Sequence, residues 1–294
     1  MTSNVTAVSY GPTVSSDALD LLRSTLSAHG AVVGVEADSG DARYQVHSIE
    51  LTVPESGLAD LRSGVAAAAL VGMDTALVPA ELRSAARKLL IMDVDSTLIQ
   101  QEVIELLAAH AGKREEVAAV TEAAMRGELD FAQSLHARVA VLAGLPSDVV
   151  TSVREEVLLS AGAAELVAAF KAAGHVVAVV SGGFNQILAP IAAELDLDYW
   201  QANELEIVDG KLTGKVLGAV VDRAAKEKYL REWAAAEGIA MEHTVAVGDG
   251  ANDLDMLGAA GIGVAFNAKP AVRAVADSAI NMPYLDAVRH IAGV

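Results

Sequence analysis

Three short runs of aliphatic residues limit what this chain can fold into more than any other feature. "KLLIM" ending at Met92, "HVVAVV" ending at Val180 and "TVAVG" ending at Gly248 are almost continuously apolar. Such runs fit strands covered on both faces. Helical patterns separate them, and alternating β and α units of this kind argue for a doubly wound parallel sheet. Each run also stops on polar residues. The first ends in Asp93 and Asp95, the second in Ser181-Gly182-Gly183, and the third in Asp249-Gly250 with Asn252 and Asp253 on the next turn. Ligands of open α/β sheets bind beyond the carboxyl ends of the strands.

Any one of these ends is adequately read as a turn, where Asp, Ser and Gly are common. Together they ask for more. Carboxylates one residue apart repel one another unless a cation or a shared proton compensates. Oxygen-only donors without nearby His or Cys favour Mg²⁺. Ser181 and the glycines after it offer a hydroxyl and exposed backbone N–H groups to phosphoryl oxygens. No GxxxxGK[ST] loop occurs, and the first strand is not followed by GxGxxG.

Composition narrows the partners. With 21 Lys+Arg against 39 Asp+Glu the formal charge is −18, so a general nucleic-acid binder with a basic face is not expected. An anionic ligand would need local cations or a metal. The absence of cysteine excludes disulfides, thiolate catalysis and cysteine-ligated metals, and suits a reducing cytoplasm. The first residues lack the basic-then-apolar pattern of a signal peptide, and no apolar run reaches the ~18 residues of a membrane span. Only 4% of residues are aromatic, so small aliphatic side chains must fill the cores.

A length of 294 residues suggests about two domains. Residues 1–80 read as a small α+β module in the order βαββαβ: "VTAVSYG", a helix from Ser15 or Ser16 to Gly30, "AVVGVEAD", "RYQVHSIELTVP", a helix within "ESGLADLRSGVAAAAL", and "DTALVP". That is the ferredoxin-like order. "AELRSAARK" reads as a helical passage to the first buried strand. Residues 100–160 carry four helical patterns and almost no strand signal, and read as an insertion into a core formed by 81–99 and 161–294. Asp209-Gly210 marks a hairpin.

At this point the chain resembles the haloacid dehalogenase superfamily of phosphohydrolases, and within it the phosphoserine-hydrolysing subfamily. The resemblance covers about Arg87 to Ala276. It rests on Asp93-Val94-Asp95-Ser96-Thr97, Ser181-Gly182-Gly183-Phe184, Lys226, and Gly248-Asp249-Gly250-Ala251-Asn252-Asp253, in that order. It implies a Rossmann-like core with a helical cap, and an N-terminal module of ACT type.

The resemblance also implies roles. Asp93 is the nucleophile that forms an aspartyl-phosphate, and Asp95 the acid and base. Mg²⁺ sits between the carboxylates of Asp93 and Asp249 and the backbone carbonyl of Asp95. Lys226 neutralises phosphoryl charge, whereas Lys228, two residues on and on another helix face, is a solvated charge. Ser181, Gly182 and Asn252 meet the phosphate, with Thr97 and Asp253 in support. Glu102 and Arg138 recognise the ammonium and carboxylate of O-phosphoserine, and Met125 and Phe131 shield the pocket. The expected partner is a small-molecule substrate, with neither nucleic acid nor membrane; a homodimer is left open. The alternatives are a phosphatase or phosphotransferase for another small phosphomonoester, and an amino-acid-sensing protein with a vestigial catalytic domain.

Overall fold

The computed structural model describes residues 2–54, 57–68, 70–125 and 128–294, leaving aside the side chains of residues 124 and 125. The first elements are β1 (Thr2–Gly11), α1 (Ser16–Ala28), β2 (Val32–Gly40), β3 (Gln45–Pro54), α2 (Leu58–Ala67) and β4 (Asp74–Pro79). They form an antiparallel sheet in the order β2-β3-β1-β4, the ferredoxin-like arrangement. Ser15 caps α1 by accepting from the Ala18 N–H at 3.2 Å, and Gly30, at φ +78°, turns the chain out of it.

Alternation along the strands gives this sheet two apolar faces. Val5, Ala7 and Leu51 pack with Leu22, Leu26 and Leu61 of α1 and α2. Val8, Tyr10, Val46 and Val78 join the core of the larger unit instead. Polar contacts close the same seam. Asp286 is fully buried and accepts from Tyr44 Oη at 2.8 Å and Arg43 Nη2 at 2.6 Å. Tyr10 Oη bonds the Ala279 carbonyl at 2.9 Å.

α3 (Ala80–Ser84) leads to β5 (Leu89–Met92). This helix is shorter than the pattern through Lys88 predicts. Ala85 turns extended, and the buried Lys88 ammonium bonds its carbonyl at 2.9 Å as the chain enters the sheet. A tight π-type turn, Val94–Leu98, follows β5. Next come α4 (Val103–His110), α5 (Arg114–Met125), α6 (Phe131–Ala140), α7 (Asp148–Glu156) and α8 (Ala163–Ala172). The first four match the expected helical patterns; α8 is additional. Then come β6 (Val176–Phe184), α9 (Asn185–Glu194), β7 (Tyr199–Val208), β8 (Lys211–Leu217), α10 (Arg223–Ala236), β9 (Thr244–Gly248), α11 (Leu254–Ala259), β10 (Ile262–Phe266), α12 (Pro270–Arg273), β11 (Ser278–Ile280) and α13 (Ala287–Ala292).

The second sheet runs β11-β10-β9-β5-β6-β7-β8, parallel except for the β7–β8 hairpin. Asp209 (φ +49°) and Gly210 (φ +71°) make the turn of that hairpin, both left-handed as a type I′ turn requires. β5 lies at the centre. Leu90 and Met92 face the layer holding α8, α9 and α13, while Leu89 and Ile91 face α10 and α11. All four are 0% exposed, which is why this strand reads as an unbroken apolar run. Each such side chain contributes about 1.5–3 kcal/mol by burial. No helix among the described residues is long and apolar enough to cross a membrane.

Candidate active site

β9, β5 and β6 are neighbours at the centre of the sheet, so their carboxyl ends converge. Asp93 follows β5, Asp249 follows β9, and Ser181 lies near the end of β6. The carboxylates of Asp93, Asp249 and Asp253 each offer an oxygen within 4.8 Å of the others. Lys226, fully buried on α10, reaches into the group, with Nζ 2.6 Å from Asp93 Oδ1 and 2.6 Å from Asp253 Oδ1. Lys228, two residues along the helix, is 63% exposed and 3.6 Å from Glu232.

The two aspartates beside Lys226 have different surroundings. Asp93 Oδ1 also accepts the Val94 N–H at 2.7 Å, so both contacts fall on one oxygen and fix the carboxylate plane. Asp253 Oδ2 accepts the N–H groups of Asp249 (3.1 Å) and Gly250 (2.9 Å), so both its oxygens are engaged. Asp253 thus shapes the turn and holds Lys226. Gly248 has to be glycine here, since a Cβ would stand 2.5 Å from the Asp253 carboxylate. Asp249 Oδ1 accepts from the buried Thr97 hydroxyl at 3.2 Å.

Asp95 points to the other side. Its Oδ1 accepts the Val103 N–H at the start of α4 (3.0 Å), and its Oδ2 the Ser181 hydroxyl (3.2 Å). Ser181 Oγ in turn accepts the Gly183 N–H at 2.7 Å. One chain of bonds therefore joins the ends of β5 and β6 to the first helix of the inserted segment.

Charge is unbalanced in this pocket. Burial pushes the Asp93 carboxyl well up, Asp253 adds to the rise, and Lys226 opposes it. Burial alone would lower the Lys226 ammonium, but Asp253 and Asp93 more than reverse that and hold it charged. The two upward shifts pull opposite ways for one ion pair; the 2.6 Å contacts favour the charged form, with two carboxylates facing a single ammonium. Burial, then Asp253 and Glu102, raise Asp249 to about 6; burial and Glu102 raise Asp95 to about 7. Clustered buried carboxylates with excess negative charge are the donor set of a hard divalent cation, and Asp93 and Asp249 have the oxygens to hold one.

The inserted segment covers this centre. Phe131 reaches Gly182, where an added Cβ would stand 3.0 Å from its ring. Asp130 and Gln133 form a capping box that fixes the start of α6 and so this ring. Glu102 Oε1 accepts the Ser96 hydroxyl at 2.8 Å. The Arg138 guanidinium is lowered by burial and pulled back by Glu102 and Asp95, so it lies within their electrostatic reach. Asn252 Oδ1 lies over Gly250, 2.1 Å from where a Cβ would be. The Met125 side chain lies outside the described residues. Asp93, Asp95, Thr97, Glu102, Phe131, Ser181, Gly182, Lys226, Asp249, Asn252 and Asp253 lie at this end of the sheet, with Arg138 within electrostatic reach of it, whereas Lys228 points away.

Two contributors were not singled out in the sequence. Ser96 sits at φ +57° and holds Glu102. Asp222 caps α10 by accepting the Ala225 N–H at 2.9 Å and thereby aims Lys226. An acid before a helical pattern was a readable cap signal for Asp222; nothing marks a left-handed serine. A cavity of about 570 Å³ between α2, β4 and β11 is remote from this chemistry. Its charged groups already have partners, Arg62 in Asp277, Asp74 in Asn281 and Arg273 in Asn281, although the buried Arg62 Nε makes no hydrogen bond.

Comparison with known proteins gives a consistent picture. The family model for haloacid dehalogenase-like hydrolases matches residues 90–258. A phosphoserine phosphatase of Streptomyces coelicolor is 57% identical over 254 residues, 86% of this chain but 62% of the relative. The chain thus spans less than two thirds of that protein. A phosphoserine phosphatase of Streptococcus thermophilus is 50% identical over 202 residues, 69% of this chain and 94% of the relative. The crystal structure of a probable phosphoserine phosphatase from Vibrio cholerae superposes with a TM-score of 0.77 at 38% identity, covering 98% of this chain and 87% of that one.

Proposed function

The chain belongs to the haloacid dehalogenase-like hydrolases, and from that premise we propose that it is a Mg²⁺-dependent phosphatase of O-phospho-L-serine. The observation that carries this reading is the buried Lys226 bridging Asp93 and Asp253, beside an Asp95 held apart by Val103 and Ser181. One aspartate is kept ionised against a fixed ammonium. The other has its carboxyl raised to about 7, where it can give a proton and take one back near neutrality.

The reaction follows from these two environments. The Asp93 carboxylate attacks phosphorus as the bond from phosphorus to the serine oxygen breaks, and Asp95 gives its proton to that oxygen. L-Serine leaves. Water then attacks the phosphorus of the aspartyl-phosphate while Asp95 takes its proton; orthophosphate departs and the Asp93 carboxylate is restored. Lys226, the Ser181 hydroxyl, the Gly182 backbone and Asn252 stabilise the phosphoryl oxygens. Mg²⁺, held by Asp93, Asp249 and the Asp95 carbonyl, would offset the charge of nucleophile and phosphate; Thr97 and Asp253 orient these ligands.

Substrate choice belongs to the cap. We assign Arg138 to the substrate carboxylate and Glu102 to its ammonium, with Phe131 and Met125 excluding water. Residues 100–160 are then the cap, 81–99 with 161–294 the catalytic core, and 1–80 a module outside the chemistry, of ACT type by its strand order. The setting is the cytoplasm, and the reaction is the last step of serine synthesis. The test is phosphate release from O-phospho-L-serine and from phosphoethanolamine, with Mg²⁺ and with EDTA. Strong Mg²⁺-dependent preference for phosphoserine is expected. Equal rates on both compounds would remove the serine reading.

A further inference from the structure

β6 and β7 are parallel neighbours, but their register breaks where the candidate site begins. Val180 lies opposite Gln201 and Phe184 opposite Asn203, so four steps along β6 are matched by two along β7. The surplus is taken up by Ser181, Gly182 and Gly183, which bulge out of the ladder and present the Ser181 hydroxyl to Asp95. A bulge removes backbone groups from their ladder partners, and a buried carbonyl so displaced needs another donor. Asn203 supplies it. Its side-chain Nδ2 donates to the Gly182 carbonyl at 2.8 Å, while its Oδ1 accepts the Val221 N–H at 2.8 Å. A carbonyl on one side and an N–H on the other allow only one amide orientation, so the side chain is locked.

Asn203 is 2% exposed. Val221 stands directly before Asp222, the N-cap of α10, whose backbone carbonyl accepts the Lys226 N–H at 3.1 Å. One buried amide therefore ties the Ser181 bulge to the mouth of the helix that carries Lys226. The geometry points to Asn203 as a positioning residue for phosphoryl binding. Its role is to set the distance between the Ser181–Gly183 bulge and the N-terminus of the helix that carries Lys226, the two elements proposed to meet the phosphate. This rests on the phosphatase reading of the site.

Asn203→Asp and Asn203→Ala separate its two bonds. The aspartate keeps the acceptor for Val221 and turns a carboxylate oxygen on the Gly182 carbonyl; the alanine removes both contacts. The measurements are orthophosphate affinity by calorimetry in Mg²⁺, and kcat and KM for O-phosphoserine. Positioning predicts that orthophosphate Kd and KM rise together by about tenfold or more in both variants, since a misplacement near 1 Å can cost up to a hundredfold. A merely structural asparagine would lower the folded, active fraction and hence the apparent kcat, leaving Kd and KM unchanged; that result overturns the proposal. Should the alanine variant fail to fold, the nearly isosteric aspartate gives the same comparison. A wild type that binds orthophosphate but hydrolyses no phosphoserine refutes the functional reading and this proposal with it. Wild-type turnover with unchanged Kd and KM in the variants refutes only the role of Asn203.

Discussion

Replacing Lys226 by alanine should damage stability and turnover together, whereas replacing Lys228 should do neither. Lys226 is completely buried and its ammonium lies 2.6 Å from two carboxylates, one of them also fully buried. Removing one partner of such a group leaves uncompensated buried charge, a loss of about 3–5 kcal/mol. For a chain of this size that is a fall in Tm of roughly 6–20 °C. Loss of the ammonium also strips electrostatic stabilisation from the phosphoryl group, on the order of 10²–10³-fold in kcat or more. Lys228 is 63% exposed and sits 3.6 Å from Glu232 one turn away, a contact of about 0.3–0.5 kcal/mol. The two effects separate with pH. Without Lys226 the Asp93 carboxyl, already raised by burial, should rise further, so the stability deficit should be smallest in acid, where it is protonated, and grow toward alkali. Scanning calorimetry across pH reads the stability, and phosphate release reads the turnover. Turnover within tenfold of wild type in a folded Lys226→Ala protein would refute the assignment, as would equal losses at Lys226 and Lys228.

Asp93→Asn should leave the fold intact and abolish turnover, and beryllofluoride with Mg²⁺ should bind the wild type but not this variant; substantial residual activity in a pure preparation would remove Asp93 as nucleophile. Burial raises the Asp249 and Asp95 carboxyls to about 6 and 7, so between about pH 4 and 7 the folded metal-free protein holds more protons than the unfolded chain and loses stability as pH rises. The Tm gain on adding Mg²⁺ should accordingly be larger at about pH 8 than at about pH 5.5, and an equal gain at both would contradict the proposed ligands. Arg138→Ala should lose roughly tenfold to a hundredfold of the preference for phosphoserine over phosphoethanolamine, the worth of one charge-assisted contact; an unchanged ratio of kcat/KM would return Arg138 to a structural role. Arg43→Ala takes the guanidinium from the fully buried Asp286 and should lower Tm by several degrees, less than a wholly buried pair because Arg43 is 32% exposed. Its KM should stay at the wild-type value, and a changed KM would mean that the seam reports to the site.

Local chemistry made a large part of this protein legible in its sequence. The βαββαβ order, the Asp209-Gly210 turn and the four helical patterns after Asp93 depend on periodicity, capping and turn residues, which act within a few positions of one another. Helix geometry alone sends Lys226 and Lys228 to different faces, but it was the family resemblance that chose Lys226. The convergence of Asp93, Ser181 and Asp249 needed the strand order β9-β5-β6, which parallel right-handed connections favour but no local run of residues states. Tertiary structure alone decided the remainder. The outer face of the N-terminal sheet is apolar at Val8, Tyr10 and Val46 because it packs on the larger unit, and strand alternation cannot say what covers a second face. Asn203 is an ordinary polar position in an alternating strand until a bulge 21 residues away leaves a carbonyl beside it that needs a donor. Raised carboxyls follow the same logic: Asp95 is pushed up to about 7 because folding removes its water and sets Glu102 nearby. Sequence carries the residue types and their short-range order; burial and long-range neighbours set what those residues can do.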